Sequence, residues 1–118
     1  MALPTIYAGN AFYLLTSPSV YGEKDITIKE VKAEKDGTVE IRFTAKAESL
    51  YYCPGANAKT TEKGIELTFV RSYIKKKPDV IYPAKSGKNG QKMINVNAKE
   101  KSIFLRDGEK LVKLFPKD

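Results

Sequence analysis

An all-β domain of two packed sheets is the fold class that this 118-residue sequence predicts. Three observations predict it: two Asp-Gly turns set between β-favouring runs, apolar residues alternating with polar ones at period two, and the lack of a convincing amphipathic helix. Turn residues recur roughly every 8 to 12 positions, the spacing of short antiparallel strands.

The first Asp-Gly pair, Asp36 and Gly37, separates residues 26–34 from residues 38–47 and predicts a hairpin, because it supplies the positive φ angles of a tight turn between right-twisted strands. In the second run Val39, Ile41, Phe43, Ala45 and Ala47 alternate with Glu40, Arg42, Thr44 and Lys46, so one face is dry and the other wet. In the first run Ile26 and Ile28 share one phase while Val31 and Ala33 share the other. That slip predicts a bulge near Lys29 and Glu30.

The second pair, Asp107 and Gly108, joins residues 102–106 to residues 110–115 in another hairpin with Ile103 and Leu105 facing inward. Ile65, Leu67 and Phe69 open an alternating strand after a turn at 62–64. Residues 93–96 form a shorter one after Asn89 and Gly90, with residues 80–82 as its expected neighbour. Residues 11–15 and 5–8 read as strands ended by Ser17, Pro18 and Ser19, and only residues 45–52 suit a single helical turn.

Seven to nine such strands suit a two-sheet β-sandwich, with an immunoglobulin-like order expected first and a small closed barrel of the oligonucleotide-binding kind as the alternative. The length is that of one domain, residues 1–118, with no repeat or linker to divide it. Tyr51-Tyr52-Cys53 resembles the strand that carries the second cysteine of antibody variable domains. The resemblance covers three residues, and that family's partner cysteine and core tryptophan are both missing. Cys53 is therefore read as a buried structural thiol, ended by Pro54 and Gly55, and a single cysteine excludes an internal disulfide.

Residues 1–22 carry no charged side chain, yet Pro4, Gly9, Asn10 and Pro18 interrupt them short of about 18 continuous apolar residues, so membrane insertion is not expected. They also lack the basic start of a signal peptide. The compartment is unknown from sequence: cytoplasmic as the chain stands, periplasmic or extracellular if a leader has been removed. Tyr7, Phe12, Tyr13 and Tyr21 predict core-covering strands, with self-association of residues 1–22 through edge pairing as the alternative.

The chain has no histidine, which removes the usual base beside a nucleophile and a frequent transition-metal ligand. No acids fall at calcium-loop spacing, and Ser86-Gly87-Lys88 lacks the order of a phosphate loop. No catalytic residue, metal site or cofactor is expected. An enzyme built on converging carboxylates is the third reading.

Charge supplies the functional clue. Residues 1–59 hold seven bases and seven acids, so the net charge of +7 lies wholly in residues 60–118. Between positions 71 and 92, Arg71, Lys75, Lys76, Lys77, Lys85, Lys88 and Lys92 face one acid, Asp79, with Tyr73 and Tyr82 interleaved. These nine residues are the candidate anion-binding set of a noncatalytic interaction module whose partner is an unknown protein or an anionic surface or polymer. A nonspecific nucleic-acid-binding barrel, stacking bases on the tyrosines, is the alternative. It is less favoured because eighteen of the twenty-one basic residues are lysine and lack the planar fork that reads bases. The three arginines, Arg42, Arg71 and Arg106, sit in strand-like segments and are expected to pair with neighbouring acids.

Overall fold

The structure, a computed structural model, describes residues 19–116 and arranges them in two packed β-sheets. The strands are β1 (Ser19–Val20), β2 (Ile26–Ala33), β3 (Thr38–Ala45), β4 (Tyr51–Thr61), β5 (Gly64–Tyr73), β6 (Tyr82–Pro83), β7 (Lys85–Ser86), β8 (Lys92–Asn97), β9 (Ile103–Asp107) and β10 (Lys110–Phe115). One sheet runs β10-β9-β5-β4-β6, with β1 beside β5, and the other runs β2-β3-β8-β7. The expected strands at residues 5–8 and 11–15, and the core role expected of Tyr7, Phe12 and Tyr13, lie outside the described residues.

Alternation builds the core. Val39, Ile41 and Phe43 of β3 and Ile94 and Val96 of β8 point at Ile65, Leu67 and Phe69 of β5 and Ile103 and Leu105 of β9, and all are buried. Phe43 and Phe69 meet edge to face across the two sheets, with ring centroids 4.7 Å apart. Such pairs add about 0.5–1.5 kcal/mol to the area they bury.

Both Asp-Gly hairpins form, β2–β3 and β9–β10, with positive φ at Gly37 and Gly108. The β2 register shifts between Ile28 and Glu30, where the phase of the sequence slips, so Ile26 and Ile28 before the bulge and Val31 after it all pack on the core, while Ala33 is exposed.

Three expectations are corrected. The strands divide between two sheets, which replaces the closed barrel. Strand β5 runs parallel to β9, so that sheet is mixed, while the other pairs in both sheets are antiparallel. Residues 80–82 do not pair with β8; Tyr82 enters β6 beside β4, and β7 takes the place next to β8. No helical turn forms at 45–52, because β4 begins at Tyr51 and continues through Pro54 and Gly55 to Thr61. A register shift between Tyr52 and Gly55 absorbs the proline, whose missing N–H then falls within a bulge. Gly55 is held at φ 152°, and a Cβ there would overlap the Tyr82 carbonyl oxygen, so β6 can approach β4 only over a glycine.

Candidate functional site

The sequence-predicted set lies on one continuous piece of chain that wraps an edge of the sandwich. Leaving β5 at Tyr73, the chain turns with the Lys76 N–H donating to the Tyr73 carbonyl at 2.9 Å. The turn is tied back to β4, since the Tyr52 hydroxyl donates to the Lys76 carbonyl at 2.7 Å and the Ile81 N–H donates to Asn57 Oδ1 at 3.0 Å. Strand β6 then pairs with β4, the Ala84 N–H donates to the Pro54 carbonyl at 2.8 Å, and β7 pairs with β8. Between Tyr82 and Ser86 the chain thus passes from one sheet to the other.

Lys75, Lys76, Lys77, Lys85 and Lys88 are exposed along this route. Among the described residues, none of these ammonium groups has an ion-pair partner. Lys92 differs. It pairs with Phe43 across the ladder, which places it on the inward phase, and it is half-buried near Cys53. Tyr82 is half-buried too, packed against the core opposite Ala56, so its ring is not a free stacking platform. Tyr73 is half-engaged, edge to face with Tyr51 at 6.2 Å and 37% exposed.

Arg71 is committed elsewhere. Its Nε and one terminal nitrogen donate to the two Glu48 carboxylate oxygens at 2.8 and 2.6 Å, and its guanidinium lies 3.7 Å from the centroid of the Tyr51 ring. The fork holds the Glu48 carboxyl below the usual carboxylate range and raises Arg71 in return. Placement follows from strand phase: Arg71 and Tyr73 continue the inward row of Ile65, Leu67 and Phe69 past the end of the core, where a paired charge and an aromatic edge replace aliphatic packing. Arg106 and Arg42 pair likewise, the first with Glu66 at 2.8 Å and the second with Glu40 at 2.8 Å. All three strand arginines therefore meet the acids expected of them, and Arg71 leaves the anion-binding set.

Glu48 and Tyr51 are the residues that sequence reasoning missed. Glu48 lies 23 positions from Arg71 and reaches it only because β4 and β5 pair with Tyr51 opposite Tyr73. No short-range pattern carries that register.

Burial pushes the Cys53 thiol up to about 11, which keeps it protonated and unreactive at neutral pH. Among the described residues no group of three or more potential ligands is placed to hold a metal ion, and no helix is long and apolar enough to cross a membrane. No protein-family model, curated protein or solved structure matches this chain.

Proposed function

We propose that the protein is a noncatalytic β-sandwich interaction module that docks on an anionic surface or polymer through a basic edge made of Lys75, Lys76, Lys77, Lys85 and Lys88. One observation carries this reading: the arginines are engaged by internal acids, while these five lysines stand exposed with no acid paired to them among the described residues. Five unpaired ammonium groups along one edge form a field that attracts anions without demanding a particular geometry. Two packed sheets presenting an exposed lysine loop at one edge support reading the module as an immunoglobulin-like sandwich.

Two experiments test it. Passage of the protein over an immobilised sulfated polysaccharide should retain it at low salt and release it as salt rises, and charge reversal of Lys75, Lys76 and Lys77 to Glu should abolish retention. The absorbance ratio of protein purified at low salt then weighs the nucleic-acid alternative, since the chain has no tryptophan and copurifying nucleic acid would dominate the spectrum. Flow-through of the native protein at low salt would defeat the reading.

A further inference from the structure

The lysine loop is also where the molecule shows its aliphatic side chains to water. Five large apolar residues are exposed among those described, Val20, Leu50, Tyr73, Ile74 and Ile81, and three of them fall within or at the ends of the loop. Ile74 is 54% exposed and Ile81 58%, and they bracket Lys75, Lys76 and Lys77. Leu50, 56% exposed, adjoins Ile74, whose N–H donates to the Leu50 carbonyl at 2.8 Å. The ties from Tyr52 and Asn57 pin the loop at Lys76 and Ile81, so the backbone at these two points is fixed against β4. The result is a loop with apolar residues at both ends and, between them, three cations and one exposed acid, Asp79, a net charge of +2.

From this arrangement we propose that the anionic partner is the surface of a lipid bilayer, with Leu50, Ile74 and Ile81 entering the headgroup boundary while Lys75, Lys76 and Lys77 engage anionic headgroups. The inference rests on the reading of the basic edge and narrows it. Charge complementarity selects an anion, and the aliphatic residues select among anions. A sulfated polysaccharide offers little apolar surface for an exposed isoleucine. Single-stranded nucleic acid rewards aromatic rings, and both tyrosines of this stretch are at least partly engaged within the protein. An anionic bilayer offers both components at once, a layer of negative headgroups over an apolar boundary. Association of this kind is peripheral and reversible, because it inserts side chains into the boundary and no more.

The test is flotation of the full chain with vesicles of phosphatidylcholine alone and of phosphatidylcholine mixed with phosphatidylglycerol. The native protein should float with the mixed vesicles and remain behind with the neutral ones. Ile74→Ser with Ile81→Ser, at exposed positions whose replacement should leave the melting temperature unchanged, should weaken vesicle binding about tenfold or more while leaving retention on a sulfated polysaccharide intact. Replacing Lys75, Lys76 and Lys77 by Ala should weaken both, by roughly fivefold per lysine on vesicles. Equal vesicle binding by the native and serine proteins, or binding to polysaccharide or DNA with none to vesicles, would overturn the lipid assignment and leave the basic edge standing. Binding to none of these anions would overturn both.

Discussion

Arg71 and Glu48 meet in a two-point fork, 2.8 and 2.6 Å long, that joins β5 to the segment leading into β4. The fork places the guanidinium over Tyr51 and removes the one arginine of the basic stretch from solvent-facing work. Arg71→Lys keeps the charge and loses the planar geometry, so it should lower the melting temperature while leaving anion binding unchanged. Thermal denaturation beside a binding titration checks both halves of this expectation.

Acid sensitivity follows from the same pair. Arg71 lowers the Glu48 carboxyl, and Arg106, through its hydrogen bond, lowers that of Glu66. A carboxyl lowered on folding stabilises the protein above its unfolded value of about 4.3, and that stabilisation is lost as pH falls through the folded value. Urea unfolding should therefore show stability falling as pH is taken from about 6 towards about 3. Glu48→Gln should be the weaker protein at the upper end of that range and should lose less on acidification.

Tyr21 provides a contrasting case. Its ring is buried in the core, its hydroxyl has no hydrogen-bond partner of normal geometry among the described residues, and burial pushes the phenol up to about 12, with the nearby Glu48 carboxylate adding to the effect. The hydroxyl has only a poorly aligned approach to the Glu48 carboxylate to lose, so Tyr21→Phe should keep a melting temperature close to the native one. In the native protein this phenol resists ionisation, and the stability tied to it is lost between about pH 10 and 12. An absorbance titration of tyrosinate at rising pH should show one ring ionising only at about 12, together with unfolding.

Gly55→Ala should cost about 1–3 kcal/mol, because the new methyl would overlap the Tyr82 carbonyl and force β6 away from β4. Urea denaturation measures the loss. Cys53 lies two residues earlier in the same bulge and is 1% exposed, so a thiol reagent should label it only at the rate of opening.

Much of the fold was legible in the sequence because its signals are local. Asp36-Gly37 and Asp107-Gly108 specify their turns, the phase slip at Lys29 and Glu30 specifies the β2 bulge, and alternation from Val39 to Ala45 marks the inward face of β3. Strand β4 was not legible. Pro54 and Gly55 signal an end, yet tertiary pairing with β5 on one side and β6 on the other carries the strand past them. The parallel β5–β9 pair is equally silent, since adjacency of strands distant in sequence has no local signature. Of the candidate site, the exposure of the lysine loop could be read from its composition. The burial of Tyr82 and Lys92 could not, because each follows from which neighbour its short strand finds.

The salt dependence of anion binding tests the basic edge most directly. Affinity for a DNA duplex and for a sulfated polysaccharide, measured at several salt concentrations, gives slopes that count the cations engaged. If Lys75, Lys76 and Lys77 each neutralise an anion, replacing all three by Ala should reduce the slope by roughly 2 to 3, at about 0.7 to 0.9 for each lysine removed. An unchanged slope, or no binding by the native protein at low salt, would contradict the assignment and leave these lysines as solvated loop residues.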